Sequence, residues 1–295
     1  MSFVDKQLLV TGASGNLGKA VVAELRRLGA KKVIAATRTP GKQQELAALG
    51  VEEREADFDR PETLPTAFRG IERLLLISTD SLHAPGVRIK QHRAAIQAAV
   101  SAGVEHVVYT SLPNAHPTEE PSIPDDHFWT EVALFESGLN WTILRNNLYA
   151  DVILRFLPFA LKTGKLMSAT RSQGRSYVSR EDCARTAAAG LLKATGKAIF
   201  DVTGPASVTH EEIASIFSGL SGKLIQHVNV TPNEVEKGLM AAGIPQFAAR
   251  SVSELDGETS RGYQAIVTPT VTNLTGKAPI SVKDFLHSTV PALIA

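Results

Sequence analysis

The segment Thr11-Gly12-Ala13-Ser14-Gly15-Asn16-Leu17-Gly18 places three glycines in the pattern G-x-x-G-x-x-G. It follows the apolar run Leu8-Leu9-Val10 and leads into Ala20 to Leu28, whose apolar residues recur at helical spacing. In a strand, loop and helix of this kind each glycine has its own task. Gly12 permits the tight turn, Gly15 lets backbone approach a pyrophosphate, and Gly18 lets the helix pack close to the strand. Free N–H groups at the helix start then face the phosphates, with the positive end of the helix dipole behind them. Cofactor contacts are therefore expected from Gly12, Ser14, Gly15, Asn16, Leu17 and Gly18. A glycine-rich turn without a ligand is the alternative, and the surrounding strand–helix–strand context weighs against it.

The second strand, Val33 to Ala36, runs out into Thr37-Arg38-Thr39-Pro40. Dinucleotide folds that take NAD place Asp or Glu here, against the ribose hydroxyls. Arg38 stands there instead, and Lys42 follows. A guanidinium can pair with the 2′-phosphate of NADPH and stack on adenine, so NADPH is expected over NADH. Asp57, after the third strand, could bond the adenine amino group or simply close a turn; both readings stay open.

These residues need a scaffold, and the first half of the chain describes one. Apolar strands alternate with amphipathic helices that stop at Gly29, Gly50, Gly70, Gly103 and Gly138. Strands are expected at Val51 to Ala56, Leu74 to Ile77, His106 to Tyr109 and Trp141 to Leu144, with helices over Gln91 to Ala102 and Phe128 to Glu136. Continuous apolar strands between helices imply a parallel sheet covered on both faces. The right-handed crossover rule then gives an α/β fold, a Rossmann-type doubly wound parallel sheet over 1–150. The rhythm loosens over 151–295, read as a smaller, mostly helical substrate lobe partly interleaved with that sheet. Capping boxes are legible at Ser179 to Asp182, Thr209 to Glu212 and Thr231 to Glu234. Short strands are expected near Ser176-Tyr177-Val178, Ile199 to Val202 and Leu224 to Val228.

The chain resembles the NmrA-like, atypical branch of the short-chain dehydrogenase/reductases, and within it the NAD(P)H:quinone oxidoreductase and triphenylmethane reductase type. The likeness rests on the glycine loop, Arg38, Leu74 to Ser78, Tyr109-Thr110-Ser111, His127 to Glu131 and Thr142-Ile143-Leu144-Arg145-Asn146 with Tyr149. It continues through Tyr177 to Asp182 and Phe200 to Gly204. It implies further cofactor contacts at Ser78 and Thr79, after the fourth apolar strand. Most short-chain dehydrogenases use Tyr-x-x-x-Lys, in which the lysine lowers the tyrosine pKa so that the phenol can protonate a carbonyl. Four residues after Tyr109, Tyr149, Tyr177 and Tyr263 stand Pro113, Ile153, Glu181 and Val267, so that relay is absent.

At the family position of that relay stand His127 and Glu131, one helical turn apart. By spacing alone they are an ordinary helix-surface pair. The family position implies a catalytic one, in which Glu131 orients a protonated His127. Asn146 follows the last parallel strand, where open α/β sheets bind ligands, and is expected to fix substrate or nicotinamide. Arg145 is expected to pair with a carboxylate under the site. Tyr149, with Trp129 and Phe156, could lie over a flat acceptor, although core packing is the default for each. Without a proton relay, hydride transfer suits acceptors whose product is already stable, such as quinones or cationic dyes.

Bulk composition narrows the partners. The 295 residues carry a net charge of +1 and a single cysteine, Cys183. No basic cluster suggests nucleic acid, no apolar run reaches the ~20 residues of a membrane span, and no signal peptide is legible. A cytoplasmic monomer or homodimer with NADP, no metal and a quinone or dye-like acceptor is the expectation. The competing reading is a non-catalytic NADP(H)-binding redox sensor.

Overall fold

The computed structural model describes residues 3–81 and 84–294. Among the described residues the strands are β1 (Gln7–Val10), β2 (Lys32–Thr37), β3 (Glu52–Glu55), β4 (Arg73–Leu76), β5 (His106–Ser111), β6 (Asn140–Asn146), β7 (Lys165–Ser168), β8 (Lys197–Val202) and β9 (Gln226–Asn229). The helices are α1 (Asn16–Arg27), α2 (Gln44–Ala48), α3 (Leu64–Ala67), α4 (Val87–Ser101), α5 (Ile123–Glu136), α6 (Leu157–Thr163), α7 (Arg180–Lys193), α8 (His210–Ser221), α9 (Pro232–Ala241), α10 (Gln246–Ser260), α11 (Thr270–Thr275) and α12 (Val282–Ile294). The described residues pack as two units: 3–81, 85–145 and 183–201 in one, and 84, 146–182 and 202–294 in the other.

The first unit is built on a seven-stranded sheet of order β3-β2-β1-β4-β5-β6-β8. The pairs β1–β2, β1–β4, β2–β3, β4–β5 and β5–β6 are parallel. Every residue of β4 and β5 is buried, as strands covered on both faces require. Leu9, Ile34, Phe68, Leu74, Leu76, Tyr109 and Ile143 form the core on one face. Each large apolar side chain there contributes about 1.5–3 kcal/mol by leaving water. Strand order reverses between β1 and β4, so the loops after these two strands diverge and leave a crevice at their C-terminal ends. Residues 183–201 return to this unit from beyond 146–182, carrying β8 into the sheet. Arg73 helps to hold them: its buried guanidinium donates to the carbonyls of Leu191 at 2.5 Å and Ala194 at 2.7 Å, at the end of α7.

In the second unit β7 and β9 form a separate parallel pair. Its core gathers Leu157, Tyr177, Ile213, Phe217, Leu286 and Val290. The capping boxes at Thr209 and Thr231 are formed, and Ser179 likewise caps α7 through Asp182. The expected strand at 176–178 does not form. That segment makes only single bridges, Tyr149 to Val178 and Arg175 to Val208, because the Ser176 N–H is taken by the Gln264 carbonyl. Strand β7 and helices α6 and α10 to α12 escape the sequence reading. Helix α10 is anchored by an ion pair between Arg175 and Asp256 at 2.5 Å, both buried, a contact across 81 residues that no local pattern signals. Helix α5 begins earlier than periodicity suggests, at Ile123, because Ser122 caps it and Pro124 occupies its first turn.

Candidate functional site

The glycine loop is folded tightly onto the end of the sheet. Thr11 Oγ1 donates to the Leu75 carbonyl at 3.1 Å and accepts from the Ile77 amide at 3.0 Å, tying the loop to β4. The Gly15 amide closes back on the Gly12 carbonyl at 3.0 Å, and Gly12 takes φ +59°, the left-handed region that glycine enters without strain. A Cβ at Gly18 would lie 2.3 Å from the Gly12 carbonyl oxygen and 2.7 Å from the Ala13 Cα. This is the close helix-to-loop packing that the sequence anticipates of the third glycine. A Cβ at Gly15 would meet only the Gly12 oxygen, at 3.3 Å. Gly15 precedes α1 with no side-chain cap, and no acid stands in the first turn. The loop thus presents uncompensated N–H groups where an anion would gain most. Gly12, Gly15 and Asn16 are exposed and Ser14 is half-buried. The Leu17 side chain is buried, leaving its backbone for any ligand.

Arg38 and Lys42 lie exposed after β2. Asp57 has both carboxylate oxygens engaged locally, Oδ1 by the Asp59 amide and Oδ2 by Arg60 Nε, each at 3.0 Å. The turn role is therefore formed. After β4, the Ser78 amide donates to Thr110 Oγ1 at 2.9 Å, and the Thr79 amide to His92 Nε2 at 3.1 Å. Thr79 Oγ1 donates to Gln91 Oε1 at 2.7 Å, and Gln91 Nε2 donates to Asp59 Oδ1 at 2.7 Å. Gln91, His92 and Thr110 thus set the loop's course. For Gln91 and His92 the signal that could have found them is adjacent polar residues on an otherwise alanine-rich buried helix face.

The expected His127–Glu131 pair is not made. Glu131, 1% exposed, is held by Arg145 through two bonds, Nε to Oε1 at 2.9 Å and a terminal nitrogen to Oε2 at 2.6 Å. Ser111 Oγ donates to the same carboxylate at 2.6 Å. A bidentate guanidinium outcompetes a histidine for this carboxylate. Arg145 therefore has the carboxylate partner that sequence reasoning gave it, and that partner is Glu131.

His127 is buried and bonded elsewhere. Arg88 lies 3.2 Å from its Nε2 and can only donate, so the ring proton sits on Nδ1 and is donated to the Tyr109 oxygen at 2.7 Å. The Thr130 hydroxyl lies beside the Tyr109 phenol, accepts from His92 Nδ1 at 2.9 Å and donates to the Asp126 carbonyl at 2.7 Å. Burial, then the charge of Arg88, holds His127 well below its usual pKa; the same causes bring His92 down to about 3. Burial pushes the Tyr109 phenol up. Neither His127 nor Tyr109 is poised to give up a proton. His127→Ala leaves Arg88 and Tyr109 without this partner, so it is expected to lower unfolding stability by about 3 kcal/mol. The same substitution should change the rate of the expected hydride transfer by the folded protein less than tenfold. Denaturant midpoints and steady-state rates on one preparation check both.

A model of the NmrA-like family matches residues 4–259. The chain belongs to the NmrA-like family. It is 34% identical to quinone oxidoreductase 2 of Escherichia coli over 258 residues, 86% of this chain and 88% of that one. It is similar, at TM-score 0.89 and 30% identity, to the crystal structure of an Escherichia coli NADPH-dependent quinone oxidoreductase complexed with NADPH. That likeness covers 96% of this chain and 100% of the other. Triphenylmethane reductase of Citrobacter sp., complexed with NADP(H), superposes at TM-score 0.85 with 29% identity, over 96% and 99% of the two chains.

Of the remaining expected residues of this NmrA-like chain, Asn146, Tyr149 and Phe156 lie in the second unit and Trp129 in the first. Asn146, at the end of β6, is buried, and neither of its amide atoms has a hydrogen-bond partner among the described residues. Tyr149 precedes a 3₁₀ turn over Ala150–Arg155, with the Arg180 guanidinium 5.2 Å from its ring centre. Phe156 packs on that unit's core against the His210 ring. In the first unit, Trp129 bonds Asp125 through its indole N–H at 3.0 Å. Phe156 and Trp129 thus each have a local packing role. Cys183, the single cysteine, is buried and makes no disulfide. No helix among the described residues is long and apolar enough to cross a membrane.

Proposed function

We propose that this chain is an NADPH-dependent reductase that delivers hydride to a quinone or a similar conjugated acceptor. The observation that carries the reading is the loop at Gly12 to Gly18, closed so tightly that only glycine fits at 18, and opening on an uncapped helix start. The names of the relatives add the acceptor class. Gly12, Ser14, Gly15 and the amides of Asn16, Leu17 and Gly18 would hold the pyrophosphate, and Ser78 and Thr79 would line the nicotinamide end. Arg38, with Lys42, would hold the 2′-phosphate, while Asp57 positions the adenine pocket through its turn. Bound NADPH supplies the hydride.

The protein's part is to bind, orient and exclude water rather than to donate a proton. His127 is neutral and its single ring proton is spoken for; Tyr109 is sealed in the core; Glu131 is neutralised by Arg145. A simple ketone taking hydride becomes an unstable alkoxide, whereas a quinone becomes a resonance-stabilised phenolate. Positioning alone is then enough for the second and not for the first. The acceptor is assigned to the second unit, through Asn146 and Tyr149.

Arg38→Ala is expected to weaken NADPH binding about tenfold to a hundredfold, since a charge-assisted bond contributes about 1.5–3 kcal/mol. NADH binding should scarcely change. Fluorescence titration with both cofactors decides this, and equal losses for the two would refute the phosphate assignment. The function itself is tested by NADPH oxidation with purified protein across quinones, cationic dyes and aliphatic ketones. Quinones should react and ketones should not. Tight NADPH binding without oxidation by any acceptor would shift the assignment to a redox sensor, which needs the cofactor site but no proton chemistry.

A further inference from the structure

Three buried side chains of the second unit carry polar atoms that no described residue satisfies. They are both amide atoms of Asn146, both amide atoms of Gln264 and the hydroxyl of Ser176. Gln264 and Ser176 are 0% exposed and Asn146 is 7% exposed. The backbone gathers them. The Gln264 carbonyl accepts from the Ser176 amide at 3.0 Å and from Asn147 Nδ2 at 3.0 Å, and Asn147 is the neighbour of Asn146. Gly204 closes the same region, its amide on the Ser176 carbonyl at 3.2 Å and its Cβ position only 2.0 Å from the Tyr177 oxygen.

Buried polar groups are satisfied in native proteins with few exceptions, and five unpaired atoms in one region call for a bound molecule. The donors among them are two amide N–H₂ groups and a hydroxyl, beside two amide oxygens that only accept. The loop that carries Gln264 also exposes Tyr263, Ile266 and Val267, an apolar setting for a flat ring.

We propose that Gln264 and Ser176, with Asn146, hold an oxygen of the acceptor and stabilise the negative charge that develops on it. This rests on the reductase reading above. In the step concerned, hydride with its electron pair leaves NADPH, giving NADP⁺, and adds to the quinone. Hydride bonds to one carbonyl oxygen, the ring π pairs shift, and the pair of the opposite C=O moves onto its oxygen, giving the hydroquinone monoanion, which later takes one proton from water and leaves hydroxide. Donors already in place at that oxygen lower the barrier without reorganising. A triphenylmethane dye such as crystal violet has no oxygen, gains only the hydride at its central carbon, and makes no such demand.

The test is Gln264→Met, which keeps the volume and removes the amide, with Ser176→Ala as a second variant should the first fail to fold. Expected are native NADPH affinity, a tenfold to hundredfold fall in kcat/KM for 1,4-naphthoquinone, and less than a twofold change for crystal violet. Equal losses on both acceptors, or no loss on naphthoquinone, would overturn the proposal, the latter meaning that the amides hold only a water. A native protein that binds NADPH but reduces neither acceptor would remove the reductase reading. The site would then be judged by calorimetric binding of 1,4-naphthoquinone to NADP⁺-loaded protein. Binding that weakens at least tenfold in Gln264→Met supports the site; undiminished or absent binding overturns it.

Discussion

Valine at Gly18 is expected to unfold the first unit, whereas valine at Gly15 leaves it folded and lowers NADPH affinity by at least a hundredfold. At Gly18 the added Cβ would fall 2.3 Å from a carbonyl oxygen and 2.7 Å from a Cα, both backbone. Neither can retreat, because the Thr11 hydroxyl pins the loop to Leu75 and Ile77 and the Ala13 amide is bonded to the Ala36 carbonyl. Relief requires moving α1 off β1 and β2, and losing packing by Val21, Val22 and Leu25, all 0% exposed. A cost of about 3 kcal/mol or more follows. At Gly15 the Cβ meets one oxygen at 3.3 Å, which a shift of a few tenths of an ångström relieves. The branched side chain then occupies an exposed loop position, beside the N–H groups proposed to hold the pyrophosphate. Circular dichroism melts and NADPH titration on both variants separate the outcomes. Normal NADPH binding by Gly15→Val would mean that the loop is not the phosphate cradle.

The second large effect is acid instability well above the usual carboxylate range. Burial first, and neighbouring positive charge second, lowers His92 to about 3, His106 to about 4 and His210 to about 3, and holds His127 well below 6.5. Below pH 6.5 the unfolded chain takes up protons at these positions while the folded chain refuses them. Their contribution is therefore complete above 6.5 and drains away as pH falls toward the folded values, at about 1.4 kcal/mol per pH unit for each histidine. Asp126 works the other way. Burial raises it to about 6, so its contribution is present below about 4 and lost as pH rises through 6. Acidification from pH 7 to 5 thus recovers about 1.4 kcal/mol at Asp126 against losses at four histidines. The net loss is on the order of 5 kcal/mol, a large share of the stability of a protein this size. Urea midpoints at pH 7, 6 and 5 measure it, and midpoints that stay level over that range would show the histidines to be charged in the fold. Because His92 must be neutral to accept the Thr79 amide, the loop after β4 should loosen with the same pH dependence.

The order of strands and helices in the first unit and the tight fold of the glycine loop were legible because both are local. Gly12, Gly15 and Gly18 act within one turn and the helix that follows, and each glycine answers to its own φ or its own close neighbour. Arg38 is legible for the same reason, as a strand end is set by the strand. The absence of lysine four residues after any tyrosine is likewise a property of the sequence as written. The partners of Glu131 were not legible. His127, one helical turn away, lost it to Arg145 and Ser111, which lie 14 and 20 residues distant and arrive at the ends of neighbouring strands. The tautomer of His127, the seclusion of Tyr109 and the anchoring of Thr79 by His92 follow from helices packing on a sheet. They depend on which polar groups are sealed from water together. The same holds for Gln264, which no motif marks and whose buried, unpaired amide exists only once the loop after α10 has closed against Ser176. Chain-local geometry determines where this protein can hold a dinucleotide. Tertiary burial decides which of its ionisable and polar side chains are left free to do chemistry, because desolvation depends on everything that packs around a group and not on its neighbours in sequence.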